Sequence, residues 1–197
     1  MKSFEKLPEN YGEIYSVDLQ KNKKVALLVN LLAVLIAVAL VVPMIFIVPI
    51  STLFDMEGGI TRYMLRFGVL AISSVLYIVL HELVHGIAMK ICGTKKVKYG
   101  FTGLYAFAGS DDYYDKKSYV FIALAPIVFW GVVLLVINIF VTAEWFWVVY
   151  IIQIMNLSGA AGDLYVTVKF SKMPRDIIVR DHGVGMKVFS KAFGQDR

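Results

Sequence analysis

The sequence has very little cysteine and few charged residues, and both shortages restrict the class of protein that it can encode. Its single cysteine, Cys92, excludes an internal disulfide, and without a C-x-x-C motif neither a structural zinc site nor a thiol redox pair is expected. Charged residues make up 18% of the 197 residues and hydrophobic ones 58%, against about 25% and about 45 to 50% in soluble domains. The composition therefore predicts an integral membrane protein.

A signal peptide and a nucleic-acid partner are also not indicated. The first 24 residues lack the short apolar core and small-residue cleavage site of a signal peptide, so we expect the first hydrophobic run to be retained as an anchor. The net charge is +5, but the lysines and arginines cluster beside hydrophobic runs, where they set topology and contact anionic lipid head groups. The lipid bilayer is therefore an expected partner, and nucleic acid is not.

Four hydrophobic runs are long enough to cross a bilayer, which takes about 20 helical residues. No internal repeat or second domain is evident. We therefore expect an all-α integral membrane protein with about four transmembrane helices. Residues 1–24 would form a cytoplasmic arm, 25–169 the membrane domain and 170–197 a cytoplasmic tail. The predicted spans are residues 25–50, 64–91, 118–141 and 145–168.

Lysines at the ends of these spans indicate an orientation. By the positive-inside rule, the lysines before the first span and after the second lie on the cytoplasmic side. Four spans then leave both termini in the cytoplasm, with the chain in the plasma membrane. The lysines concerned are Lys21, Lys23, Lys24, Lys90, Lys95, Lys96 and Lys98.

Three local patterns interrupt the helical pattern. Between residues 97 and 107 aromatic residues recur at even spacing among glycines, which predicts a short β-hairpin or re-entrant loop between the second and third spans. In the tail, apolar residues flank Asp181-His182-Gly183 as in a small hairpin. Pro126 should kink the third span, and we expect neighbouring helices to bond the backbone groups that it frees.

The second span contains the motif H-E-x-x-H at residues 81–85. On a helix His81 and His85 project from one face and can hold one zinc ion, while Glu82 lies beside them as a general base. Ionisable residues in an apolar helix are costly, which favours a functional role. The alternative is a polar patch that bonds to neighbouring helices or lines a water cavity.

A catalytic zinc site takes three protein ligands, so the two histidines need a third. Asp163 is the preferred candidate because it lies about as deep in the fourth span as His85 lies in the second. Its alternative role is an ion pair with a nearby lysine at the membrane surface. The other candidate ligands are His182, Asp111, Asp112 and Asp115.

Residues that could contact a substrate lie in two places. Asn156 is two helical turns before Asp163 and could donate to a substrate carbonyl, or it could instead bond another helix. The alternating stretch that includes Phe101, Gly103 and Tyr105 could hold an extended peptide by strand addition, or it could only anchor the hairpin at the membrane surface.

Together these residues resemble the site-2 protease class of intramembrane zinc metallopeptidases, in which an aspartate from a later helix completes an H-E-x-x-H site. The chain is identified as a member of a related small bacterial family of four-span zincins. The sequence pattern of that family consists of H-E-x-x-H-G, a lysine-rich loop, Ala-Pro in the next span and Gly-Asp near the end, and it covers most of this chain. The resemblance implies zinc on His81, His85 and Asp163, although Leu164 stands where the class has glycine.

Two functions from different classes are consistent with these residues. The first is a zinc-dependent peptidase that cleaves a membrane protein or peptide near the cytoplasmic membrane face, with Glu82 as the base. The second is a non-catalytic membrane protein that uses a zinc-stabilised helix pair as a scaffold, which a closed four-ligand site would favour. A transporter role is disfavoured because no inverted repeat is evident. The sequence does not determine the oligomeric state.

Overall fold

The computed structural model describes residues 2–18, 21–103, 105–183 and 185–191, and most of these are helical. A short 3-10 helix, Ile50–Phe54, connects the first two of five α-helices in these ranges. Helix α1 ends at Ile47, two residues before Pro49, since proline disfavours helical backbone at the residue before it. The helices are α1 Lys23–Ile47, α2 Gly59–Ile91, α3 Lys116–Phe140, α4 Ala143–Gly159 and α5 Ala161–Ser171.

Four helical segments of the described chain are long and apolar enough to cross a membrane. The fourth of them, Ala143–Ser171, comprises α4 and α5 with only Ala160 between them. The prediction of four such helices is confirmed, and their passage through a membrane stays a prediction. The other three segments are Lys23–Ile47, Gly59–Ile91 and Lys116–Phe140.

The described residues also form two antiparallel sheets. Strands β3 and β4 pair as a hairpin, as do β6 and β7, and both predicted hairpins are confirmed. The larger sheet has the order β1-β5-β6-β7-β2. The strands are β1 Ser3–Phe4, β2 Gly12–Asp18, β3 Lys98–Phe101, β4 Ala106–Gly109, β5 Tyr113–Asp115, β6 Ile178–Asp181 and β7 Gly185–Ser190.

The five-stranded sheet was not predicted, so the fold is mostly helical with a β-sheet rather than all-α. Its two N-terminal strands lie in the stretch expected to be a cytoplasmic arm outside the folded domain. Strand β2 pairs with β7, whose residues follow it by more than 160 positions in the sequence. Short strands take their stability from such cross-strand neighbours, and a local sequence pattern does not show them.

The chain divides into two compact units, and the first contains the sheets. This unit consists of Met1–Val29, Glu82–Ala125 and Gly162–Arg197. Its core joins Ala88 and Met89 of α2 to strand residues Val179 and Val188. The predicted C-terminal tail therefore contributes strands to the core that supports the end of the motif helix.

The second unit, Asn30–His81 and Pro126–Ala161, is helical. One of its buried clusters centres on Trp147 and Tyr150 of α4, and another contains Tyr77, Leu134 and Ile152. Among these apolar residues lies Arg66 of α2, which is 1% exposed.

Candidate metal centre

The H-E-x-x-H motif lies in the last third of α2. The ligand atoms of His81, Glu82 and His85 lie within 4.8 Å of one another. His81 is 9% exposed and His85 8%, so both imidazoles are held inside the protein. One helix therefore brings together two nitrogen donors and a carboxylate that could serve a metal ion.

A chain of side-chain hydrogen bonds determines which nitrogen of His81 carries its proton. Asn156 Nδ2 donates to the Ile127 carbonyl (3.1 Å), which directs Asn156 Oδ1 toward Tyr77. The Tyr77 hydroxyl donates its only proton to that oxygen (2.8 Å) and lies 2.7 Å from His81 Nδ1. His81 Nδ1 must then be the donor to Tyr77, and the lone pair for metal binding is on Nε2.

His85 is held in the same tautomer by a backbone group. Its Nδ1 lies 2.9 Å from the Ile122 carbonyl oxygen, which can only accept, so Nδ1 donates, and in the neutral imidazole the lone pair is on Nε2. Ile122 stands four residues before Pro126 in α3, and proline has no N–H to give to that carbonyl. The expectation that another helix would bond a group freed by Pro126 is thus confirmed.

Asp163 lies in the first turn of α5, at the helix end that favours a negative charge. Its Oδ2 is 3.7 Å from His85 Nε2, the ring nitrogen that does not bond Ile122. The carboxylate therefore faces the metal-binding side of this histidine.

The other predicted third ligands have different partners in the structure. Asp111 forms surface ion pairs with Lys98 (2.6 Å) and Arg180 (3.6 Å), and the hydrogen bond from Lys98 lowers the pKa of its carboxyl. Asp115 accepts from the Ser118 backbone N–H (2.7 Å) and caps α3. Asp112 is partly buried in the connection between β4 and β5, and His182 is exposed in the turn between β6 and β7.

The predicted substrate contacts fall into two environments. Asn156 is 0% exposed and bonds both Tyr77 and Ile127, so it makes the interhelical hydrogen bond that was its alternative role. Phe101 and Tyr105 are exposed on the β3–β4 hairpin, and Gly103 takes a positive φ of 89° in its turn. Their contact with a substrate stays a prediction.

The contacts of two residues near the motif, Tyr77 and Asp181, were not predicted from the sequence. Tyr77 stands one turn before His81, a spacing that could have suggested the contact. Asp181 of β6 accepts hydrogen bonds from the Tyr119 hydroxyl (2.5 Å) and the Gly183 N–H (2.7 Å), and its burial raises the pKa of its carboxyl. Asp181 and Tyr119 are 62 residues apart, so no local pattern could have joined them.

Comparisons with known proteins match the part of the chain that contains these residues. The family model described as "Putative zincin peptidase" matches residues 74–178, a range that includes the motif, Asn156 and Asp163. A curated relative from Pyrococcus woesei, "Uncharacterized 24.7 kDa protein in gap 5'region", is 35% identical over 123 residues, which are 60% of this chain. The chain spans about half of that relative, 53% of its length. No solved structure matches.

Proposed function

The chain belongs to the zincin peptidase family whose pattern covers residues 74–178, and on that basis we propose that it is a zinc-dependent membrane peptidase. Zinc would be held by His81, His85 and Asp163. Glu82 would act as the general base. The bond cleaved would lie in or beside the membrane, as in the site-2 protease class.

The observation that carries this proposal is the orientation of the two histidines. Each has its Nδ1 proton bonded to a protein acceptor, so the neutral form of each has its lone pair on Nε2. Outer hydrogen bonds of this kind orient imidazoles that bind metals. Two imidazole nitrogens and a carboxylate oxygen are a donor set that zinc accepts in catalytic sites. The residues present therefore fit this ion.

Bound zinc would supply a Lewis acid that polarises the substrate carbonyl and acidifies water. Glu82 takes a proton as the water oxygen attacks the carbonyl carbon, and passes a proton to the amine nitrogen as the C–N bond breaks. One water is consumed, a carboxylic acid and an amine are formed, and Glu82 returns to its starting state. The interaction between the Glu82 carboxylate and the Ala108 backbone amide supports its position for this role.

A membrane location is supported by where the apolar side chains lie. No residue of α1 is buried, and Phe46 of α1 and Phe140 of α3 are both 82% exposed. Exposing so large an apolar surface to water would be unfavourable, whereas contact of that surface with lipid is favourable. With the lysines inside, the termini and the motif end of α2 would face the cytoplasm, and the substrate would be a membrane protein or peptide.

Elemental analysis of the detergent-purified protein, beside a quenched fluorescent peptide library, tests the proposal. The wild type should hold about one zinc and cleave the library. His81→Ala and Asp163→Ala should lose zinc because each loses a ligand. Glu82→Gln should keep zinc and lose cleavage by about a hundredfold or more, since the base is removed.

Glu13→Gln is a matched control, because Glu13 pairs with Lys187 at the surface (2.9 Å), and it should change neither property. A wild type without zinc, even after reconstitution, would refute the proposed site. If the wild type binds zinc but does not cleave peptides, the zinc site is structural. If Asp163→Ala keeps its full zinc content, a residue other than Asp163 is the third ligand.

A further inference from the structure

The glycine that follows the motif has a tyrosine against it. A Cβ atom on Gly86 would lie 1.9 Å from the Tyr99 hydroxyl oxygen and 2.7 Å from its Cζ. The phenol therefore rests on the Gly86 backbone, where no side chain fits. Gly86 is one helical turn beyond Glu82, so the Tyr99 hydroxyl lies on the face of α2 that carries the proposed base.

The β3–β4 hairpin gives an independent reason for this proximity. Tyr99 of β3 is paired with Ala108 of β4, and side chains at paired positions share a face of the sheet. The backbone amide of Ala108 interacts with the Glu82 carboxylate. Two elements, α2 and the hairpin, thus bring Tyr99 toward the same carboxylate.

The state of the Tyr99 hydroxyl suits a hydrogen-bond donor. Burial, and then the charge of Glu82, raise the pKa of the phenol above its usual value near 10, so it keeps its proton at neutral pH. Within the described part of the chain the hydroxyl makes no hydrogen bond, and Tyr99 as a whole is 51% exposed, so the residue lies at the protein surface, where a substrate could approach.

We propose that Tyr99 is a further catalytic residue, which donates a hydrogen bond from its hydroxyl to the oxyanion that develops on the substrate carbonyl oxygen. The inference rests on the proposed peptidase function. No proton is transferred: the hydroxyl keeps its hydrogen and stabilises the charge that forms when water attacks. Donors aimed at such a charge stabilise the transition state more than the ground state.

The decisive variant is Tyr99→Phe, which keeps the ring on Gly86 and removes only the hydroxyl. With a peptide selected from the library, kcat should fall about a hundredfold and KM should change little, because the interaction forms only in the transition state. Zinc content should not change. As a readout other than activity, affinity for a phosphinic peptide, whose anionic oxygens imitate the oxyanion, should fall about tenfold or more.

Two further variants separate the effect of the Tyr99 hydroxyl from the effect of side-chain packing. Tyr63→Phe is the matched control, because Tyr63 packs on Phe67 at the opposite end of α2, and it should leave kcat, KM, zinc content and inhibitor affinity unchanged. Gly86→Ala should displace Tyr99 and reproduce the loss of kcat, and the double variant should lose no more than the larger single loss.

The outcomes distinguish this inference from the function on which it rests. If the zinc-loaded wild type cleaves peptides and Tyr99→Phe stays within about twofold of it in kcat and inhibitor affinity, the role of Tyr99 is wrong and the peptidase function stands. If the zinc-loaded wild type cleaves nothing, both are overturned. If Gly86→Ala does not fold, Tyr99→Phe decides alone.

Discussion

Helix α2 buries ionisable side chains in two places, at Arg66 near its start and at the H-E-x-x-H motif fifteen residues later. Around Arg66, Nη1 donates to the carbonyls of Thr52 (3.0 Å), Leu53 (2.8 Å) and Asp55 (3.1 Å), at the end of the 3-10 helix. Nη2 pairs with Glu144 (2.9 Å) in the first turn of α4. A cation at one helix end and an anion at the start of another are both favourable, so this cluster is explained by helix capping.

The motif cluster is built differently. A protein acceptor takes the Nδ1 proton of each histidine, and the Nε2 side of His85 faces the Asp163 carboxylate. The comparison shows that the cost of burying charge in an apolar helix does not by itself identify a functional residue. What distinguishes the two clusters is which atoms the fold uses, since Arg66 stabilises backbone ends while the histidines are oriented for a metal.

The largest expected effect on stability comes from removing Arg66. Arg66→Met should lower the free energy of unfolding by about 2 to 4 kcal/mol, because three carbonyls lose their donor and Glu144 loses the nearer of its two cations. This loss of stability should be smaller than that for breaking a fully buried ion pair, because the Glu144 side chain is 29% exposed. Thermal unfolding in detergent should show the loss, and zinc per folded chain should not change.

Arg62→Met is the matched control for that prediction. Arg62 also reaches Glu144, at 3.9 Å, but its side chain is 65% exposed, so water replaces the interaction. Its loss should cost less than about 1 kcal/mol. If Arg66→Met unfolded no more readily than Arg62→Met, or lost its zinc while folded, the division of α2 into a structural and a metal-binding cluster would be wrong.

The same contrast explains what the sequence could predict. The four apolar helices, both hairpins and the motif residues follow from local spacing. The neighbours of those residues do not, because Tyr77 and Asn156 are 79 positions apart and His85 and Ile122 are 37 apart. The structural role of Arg66 was not predicted, because a single charged residue in an apolar span forms no pattern with other residues. The large sheet was missed because its strands are short and pair across most of the chain.

The next largest effect should come from the hydrogen-bond chain behind His81. Tyr77→Phe leaves the ring in its cluster but removes the acceptor for His81 Nδ1–H, so zinc affinity should fall about ten- to a hundredfold in a competition titration with a chelator. Tyr150→Phe is a close control in the same unit, since its hydroxyl donates to the Leu40 carbonyl (3.0 Å). It should leave zinc affinity unchanged, and equal losses in both variants would mean that Tyr77 acts only through stability.

The smallest effect tests the backbone acceptor behind His85. Pro126→Ala restores an N–H that can donate to the Ile122 carbonyl, in competition with His85 Nδ1. A carbonyl oxygen has two lone pairs and can accept from both, so zinc affinity should fall only about two- to fivefold. Pro43→Ala makes the same change in α1, where the freed carbonyl is that of Ala39, and should not alter zinc affinity. Because alanine favours a helix interior over proline by about 3 kcal/mol, both variants should gain stability, and a loss of zinc affinity in Pro126→Ala alone would separate ligand orientation from folding.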